Sequence, residues 1–173
     1  MGAAASRPAP EPVAHDSAVP AGPHDAPLDQ GGLMHLVGYA STRASLELKK
    51  SFQRHMGGPL GLKAVEFSIL VLVDSNPEVN QKQLGLALDV SPPNLAVTLD
   101  RMVAQGWVRR ERSERDRRAQ LVRLTPAGQA LVKRAREVSL VMEQDALAVL
   151  SPGEQALLIE LLQRVASQRP RGG

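Results

Sequence analysis

The sequence predicts a mainly α-helical protein with a small β-hairpin wing, in the arrangement called a winged helix-turn-helix. Apolar residues recur at three- and four-residue steps over most of the chain from Leu33 onward, as in amphipathic helices. Two short helical segments meet at a tight turn near Asp89. Immediately after them come two short strand-like runs, which flank a charged tip from Glu111 to Gln120.

The pattern divides the chain into five regions. Residues 1–29 are rich in Ala and Pro and carry too few large apolar side chains to form a core, so we expect a disordered tail. Residues 30–58 are predicted to form an N-terminal dimerisation helix, and residues 59–125 a winged helix-turn-helix domain. Residues 126–168 are predicted to form C-terminal dimerisation helices, and residues 169–173 a second disordered tail.

Start and stop signals place the first two helices. The first is predicted to begin at Leu33, to carry apolar residues as far as Phe52 and to stop near Gly57-Gly58-Pro59. The second is predicted from about Lys63 to Asp74. A proline after Asn76 disfavours continuation of this helix.

The next two helices form the predicted helix-turn-helix. Asn80 and Gln83 form a capping box that opens the third helix, which turns at Asp89. Ser91, followed by a proline at the first helical position, opens the fourth helix. Gly106 is expected to end it in the left-handed conformation.

Two further helices follow the hairpin. Thr125 with the next three residues is predicted to begin a long helix that reaches about Leu150. Ser151 and Glu154 form another capping box, which opens the last helix.

The fourth helix has two faces of different chemistry. Its apolar residues, expected to face inward, are Leu95, Leu99, Met102 and Val103. The opposite stripe is Ser91, Asn94, Thr98 and Arg101, side chains that can hydrogen-bond to base edges in a major groove. Pro92 and Pro93 fix the start of the helix and could touch a thymine methyl. Any surface helix has a polar stripe, but the position of this one just before a basic hairpin favours DNA recognition.

Seven arginines crowd around the hairpin of a chain whose net charge is only +3. They are Arg101, Arg109, Arg110, Arg112, Arg115, Arg117 and Arg118, against the acids Glu111, Glu114 and Asp116. A charge run is usually a solvated face. Here Asp116 stands two residues before Arg118, where it can hold that guanidinium extended toward a narrow minor groove. The predicted DNA contacts are Ser91, Pro92, Pro93, Asn94, Thr98, Arg101, Arg110, Arg112, Arg115, Asp116, Arg117 and Arg118.

Several short blocks carry a resemblance to a known family. They are 83–88 (QLGLAL), 91–94 (SPPN), 99–102 (LDRM), 106–110 (GWVRR), 116–118 (DRR) and 124–128 (LTPAG). With these blocks the chain resembles the MarR family of bacterial transcriptional regulators over about residues 31–168. Asp89 is a departure, because the family usually has Gly there. We expect the same turn with slight strain, since Asp tolerates the left-handed conformation better than most residues.

The resemblance implies a homodimer with intertwined terminal helices, bound to a pseudo-palindromic DNA operator. In the family the arginine at the position of Arg118 enters the minor groove, and the acid at Asp116 orients it. Members are often released from DNA by a small-molecule effector such as an aromatic carboxylate or an acyl-CoA thioester. The amphipathic pattern agrees with a dimer, because one core of about 90 residues cannot cover all the outer helices.

His35, Tyr39 and Arg43 are the candidate ligand-binding residues. They recur every four residues on the predicted first helix and could hold a carboxylate and stack on a ring. The alternative is that this stripe meets water or the partner chain.

Composition excludes other kinds of site. The chain has no cysteine, which removes disulfides, thiolate zinc sites and cysteine nucleophiles. Its four histidines do not stand at metal-ligand spacing, and no catalytic motif or cofactor loop is present, so we expect no metal, no cofactor and no enzyme. No run approaches the about 20 apolar residues that span a bilayer, and there is no secretory signal, so we expect a cytoplasmic protein without a membrane partner.

The sequence is compatible with three functions. The first is a ligand-responsive dimeric repressor, and the second is a constitutive DNA-binding protein without an effector. The third is a winged-helix module that contacts proteins, which would more often present apolar or aromatic anchors in place of Asn94, Thr98 and Arg101.

Overall fold

The computed structural model describes residues 27–112 and 120–167. A 3-10 turn, Gly31–Leu33, precedes helix α1, Val37–Phe52, a π-helical turn, Gln53–Gly57, and the short α2, Gly58–Leu60. Then come α3, Ala64–Ser75; α4, Gln81–Leu88; α5, Pro92–Ala104; and the strands β1, Val108–Arg112, and β2, Gln120–Leu124. Helices α6, Pro126–Ser139, α7, Gln144–Leu147, and α8, Pro152–Ala166, complete the order. This mainly helical order with one hairpin confirms the predicted fold class.

The first helix ends later than the sequence indicated. Helical structure continues through Gly57 and Gly58 to Leu60, and the left-handed residue that ends it is Gly61, with φ of 66°. Pro59 does not end the helical structure. It lies in the first turn of α2, where proline is tolerated because its missing N–H is not needed.

The helix-turn-helix forms as predicted. The Asn80 side chain accepts from the N–H of Gln83 at 2.9 Å, and the Gln83 side chain accepts from the N–H of Asn80 at 2.9 Å. Asp89 takes the left-handed conformation with φ of 50°. It lies where a glycine would be strain-free, so the turn is retained at a small conformational cost.

The wing is an antiparallel hairpin with Val108 opposite Leu124 and Arg112 opposite Gln120. The chain before α4 extends the hairpin, because Val122 donates its N–H to the carbonyl of Val79 at 3.0 Å. The wing is therefore attached to the helix-turn-helix by backbone bonds.

The core is aliphatic and lies beneath α5. Leu95, Leu99 and Met102 are buried, as predicted, and pack with residues of α3, α4, the wing and α6. Val103 is not part of it. The prediction for this residue was wrong, because Val103 is 41% exposed at the edge of the apolar stripe.

The carbonyl oxygen of Trp107 fixes the junction between the wing and α6. It accepts from the N–H of Thr125 at 3.0 Å, and the Thr125 hydroxyl lies 3.2 Å away. The Thr125 hydroxyl also caps α6 by accepting from the N–H of Gly128 at 3.0 Å. A Cβ on Gly128 would lie 1.9 Å from that carbonyl oxygen, so only glycine fits here.

The long helix predicted from Thr125 to about Leu150 is interrupted. Helix α6 ends at Ser139, and turns lead to the short α7. The buried hydroxyl of Ser51 on α1 donates to the carbonyl of Met142. Met142 also packs against the core. This contact between residues 91 positions apart accompanies the bend, and no local pattern encodes it.

Helix α8 begins as predicted, with Ser151 and Glu154 in a capping box. None of its residues is buried. Its exposed apolar side chains are Leu157, Leu158, Ile159, Leu161, Leu162 and Val165. One protomer therefore leaves the apolar side of this helix uncovered.

We expect Gly128→Ala to lower the free energy of unfolding by about 1–3 kcal/mol, because the new methyl group must displace the Trp107 carbonyl or the start of α6. Urea unfolding followed by circular dichroism measures it. Gly153→Ala is the matched control, since a Cβ there meets nothing within 4 Å. Equal stability of the two variants would contradict the close packing at this junction.

Candidate nucleic-acid interface

The start of α5 presents a rigid, exposed surface. Ser91, Pro92, Pro93 and Asn94 are all exposed. Two prolines in the first turn remove two backbone donors that a helix start would leave unpaired, and Ser91 makes no side-chain cap bond. One turn later, the Thr98 hydroxyl donates to the carbonyl of Asn94 at 2.9 Å. The hydrogen-bonding groups of Ser91 and Asn94 are placed on the outside of the helix-turn-helix, where sequence reasoning put them.

Val97 is an outward-facing residue that the sequence analysis missed. Its side chain is 70% exposed, in the middle of α5. It stands two residues from both Leu95 and Leu99, which at about 100° per residue places it about 160° from each of these buried side chains. The same spacing could have identified it from the sequence.

Arg101 has a different environment from the one predicted. Its guanidinium donates to the carboxylate of Glu66 on α3 at 2.5 Å, and Nη2 lies 3.4 Å from the carbonyl of Gly61. Glu66 is fully buried and also accepts from the N–H of Lys63 at 2.8 Å. In this conformation Arg101 compensates a buried charge and ties α5 to α3, and it does not extend toward a base.

Arg110 likewise bonds within the protein. It donates to Asp100 at 2.6 Å and to the carbonyl of Ala96 at 3.3 Å, both on α5. This side chain was predicted to contact DNA. The structure shows it holding β1 against the helix.

Glu111 connects the two strands of the wing. It accepts from Arg109 at 2.5 Å and from Arg123 at 2.9 Å, two arginines that lie opposite each other in the hairpin. The hydrogen bond from Arg109, with a further contribution from Arg123, holds the pKa of the Glu111 carboxyl below its ordinary value. The carboxylate stays ionised and offsets the repulsion between the two guanidinium groups.

The tip of the wing is only partly described. Arg112 is exposed at the end of β1. The other predicted contacts there, Arg115, Asp116, Arg117 and Arg118, lie outside the described residues. Their roles remain predictions.

Two of the three predicted ligand-binding residues meet at one oxygen atom. Tyr39 donates its hydroxyl to the side-chain oxygen of Gln30 at 2.6 Å, and Arg43 donates to the same atom. Together they line a groove of about 530 Å³. His35 precedes α1 in an exposed turn. Within the described residues it makes no hydrogen bond to Tyr39 or Arg43.

Residues 27–112 and 120–167 contain no group of three or more His, Asp or Glu side chains that could hold a metal ion. Over the same residues no single helix is long and apolar enough to cross a membrane. Helices α1–α2 and α3 are long and apolar enough only when they are taken together, and they meet at a 71° bend.

Comparisons with known proteins agree with this geometry. A family model described as MarR family matches residues 60–119, which cover α3, the helix-turn-helix and the first strand of the wing. The HTH-type transcriptional regulator PecS of Dickeya dadantii is 36% identical over 107 residues, or 60% of this chain and 64% of PecS. The multiple antibiotic resistance protein MarR of Escherichia coli is 29% identical over 136 residues, or 78% of this chain and 89% of that protein.

Solved structures extend the comparison to nearly the whole described chain. The transcriptional repressor CouR, bound to a 23-mer DNA duplex, matches with a TM-score of 0.75 and 32% identity, over 82% of this chain and 99% of CouR. CouR bound to p-coumaroyl-CoA matches with a TM-score of 0.74 and 29% identity, over 83% of this chain and all of CouR. The match to the family model, the similarity to MarR of Escherichia coli and the 32% identity over 99% of CouR together show that this chain belongs to the MarR family of transcriptional regulators.

Proposed function

We propose that the protein is a dimeric, sequence-specific DNA-binding repressor that a small ligand releases from a pseudo-palindromic operator. The observation that carries the proposal is the outer surface of α5, where Ser91 and Asn94 stand exposed beside a basic wing. Exposed hydrogen-bonding side chains on a rigid helix suit the edges of bases in a major groove. The similarity to CouR, whose structure contains a DNA duplex, supports the same function.

The residues near DNA divide into two groups in this proposal. Asn94 is suited to bind an adenine edge, while Ser91, Pro92, Pro93 and Thr98 line the same helix surface. Arg112, Arg115 and Arg117 contact phosphates, and Arg118, oriented by Asp116, enters the minor groove, as the family resemblance implies. Arg101 and Arg110 act indirectly, because their bonds to Glu66 and Asp100 set the position of α5 and the wing.

The dimer covers the apolar side chains that one protomer leaves exposed. They lie on α8, at the N-terminal end of the described chain in Leu33, Met34, Leu36 and Val37, and around α7 in Leu140, Val141 and Val149. An exposed apolar surface spread over both ends of a chain is typical of an obligate interface. Two-fold symmetry then presents two copies of α5 to DNA at about one duplex turn, roughly 34–36 Å, apart.

The effector in this proposal is an aromatic acid, free or as its CoA thioester. Tyr39 and Arg43 converge on the amide oxygen of Gln30, and an oxygen of a carboxylate could replace that amide oxygen. A guanidinium binds a carboxylate more strongly than it binds a neutral amide, so the exchange favours an acid. The p-coumaroyl-CoA bound to CouR supports this class of ligand.

An anisotropy titration of operator DNA, repeated with a panel of aromatic acids and their CoA thioesters, tests the proposal. We expect tight, salt-sensitive binding that one compound reverses, and Arg43→Ala should keep DNA binding but weaken the response to that compound at least tenfold. Arg54→Ala, at an exposed arginine outside the groove, is the matched control. Binding that no compound disturbs would favour a constitutive DNA-binding protein. No binding at low salt would favour a winged-helix module for protein contacts.

A second prediction separates base contacts from support of the helix. Asn94→Ala should reduce the preference for operator over random DNA about tenfold, with the free energy of unfolding unchanged. Arg101→Ala should lower that free energy by about 1–3 kcal/mol, because it leaves the Glu66 carboxylate buried with one partner fewer. Competition binding and urea unfolding of both variants check this. Equal losses of operator and random binding for Asn94→Ala would mean that Asn94 touches only the backbone.

The dimer makes a third prediction. Leu161→Glu should convert the protein to a monomer or weaken the dimer at least a hundredfold, because it places a charge in an apolar interface. Sedimentation equilibrium gives the mass. The control is Gln163→Glu, which adds the same charge to the same helix without replacing an apolar side chain. A dimer of unchanged affinity in Leu161→Glu would show that α8 lies outside the interface.

A further inference from the structure

The exposed valine at the centre of α5 has no role in the core. Val97 lies on the side of the helix opposite Leu95 and Leu99, and most of its surface is open to solvent. Pro93, one turn earlier, is also exposed. On this helix an apolar side chain therefore occupies the middle of the surface whose edge carries Asn94 and Thr98.

The other exposed apolar side chains of the described chain give a useful contrast. Most of them lie on α8, around α7 and near the start of α1, where the proposed second protomer covers them. Leu86 on α4 and Val97 on α5 are instead on the helix-turn-helix. Of these two, Val97 is in the same helix as the proposed base-contacting residues. A β-branched residue in the middle of an exposed helix surface also lowers helix propensity slightly, so local stability does not account for it.

The chemistry of the major groove limits the groups on DNA that the Val97 side chain can contact favourably. Base pairs present hydrogen-bond donors and acceptors in this groove, and the C5-methyl group of thymine is the one apolar group among them. A valine cannot bond to the polar atoms, but its two methyl groups can pack on a thymine methyl. Removal of that methyl from water then favours thymine over the other three bases.

We propose that Val97 is a specificity-determining residue that packs on a thymine C5-methyl in each half of the operator. The inference rests on the proposed function, since it requires α5 to lie in the major groove. Asn94 and Val97 then read neighbouring positions of a half-site, one by hydrogen bonds and the other by apolar contact.

The test begins with operator selection from a random duplex pool by the wild-type protein. In the selected operator each thymine is replaced in turn by deoxyuridine, which keeps the pairing and the groove acceptors but lacks the methyl. We expect one symmetry-related pair of positions at which this replacement weakens wild-type binding about three- to fivefold per half-site, which corresponds to about one buried methyl group. For Val97→Ala the same replacement should change affinity by less than 1.5-fold.

Val103→Ala is the control, because Val103 is on the same helix but at the margin of the buried side. This variant should keep the full penalty for deoxyuridine. Circular dichroism and the dimer mass of both variants should match those of the wild type, since neither side chain is in the buried core.

The possible outcomes distinguish a failure of the proposed function from a failure of the role of Val97 alone. Selection of no sequence by the wild type would overturn the proposed function, and the role of Val97 with it. A selected operator that binds equally well with deoxyuridine at every thymine would overturn the role of Val97 alone. The same conclusion holds if Val97→Ala retains the wild-type penalty at the same positions.

Discussion

The position of helix α5 depends on one buried carboxylate. Glu66 has no exposed surface inside an aliphatic core, and a buried charge is tolerated only when it is paired and hydrogen-bonded. Its two oxygen atoms accept from the N–H of Lys63 at the start of α3 and from Arg101 on α5. Arg101 also reaches the carbonyl of Gly61, where the chain leaves α2. Two segments that are distant in sequence, residues 61–66 and α5, thereby meet at one ion pair, and α5 cannot tilt without exposing or stranding that charge.

The arginines around the hairpin consequently differ in their surroundings, which the sequence could not reveal. Arg101, Arg109 and Arg110 are all engaged with acids of the protein, so they fix α5 and the wing in place. Arg112, further along the wing, is exposed. The number of arginines indicates the electrostatic attraction to a polyanion. Only the hydrogen-bond partner of each guanidinium shows whether that arginine is bonded within the protein or is free to contact DNA. Arg101 and Arg110 hold α5 in place, which lowers the entropy cost of DNA binding.

The features that the sequence predicted well are those that depend on neighbouring residues. The capping boxes at Asn80 and Ser151 and the left-handed turns at Asp89 and Gly106 each need only three or four residues of context. The features that the sequence did not reveal involve distant partners. The pairing of Arg101 with Glu66 spans 35 residues, and the bond from Ser51 to Met142 at the bend after α6 spans 91. Helical periodicity identifies which side of α5 is apolar, but at the margin of that side it misplaced Val103.

One continuous stretch of chain joins the groove lined by Tyr39 and Arg43 to the segment that Arg101 of α5 contacts. From Tyr39 and Arg43 this stretch follows α1 through a π-helical turn to the left-handed Gly61. These two irregular points are where a rotation of α1 against α3 can be absorbed. Arg101 bonds to the carbonyl of Gly61 and to Glu66 on α3, so a rotation centred on Gly61 would act on the position of α5. To convert a protein that is 99% in the DNA-binding arrangement to 1%, an effector must prefer the other arrangement by about 5.5 kcal/mol. A single carboxylate–guanidinium contact supplies about 1.5–3 kcal/mol, so the proposed aromatic effector would also have to gain binding energy from its ring or from a CoA moiety.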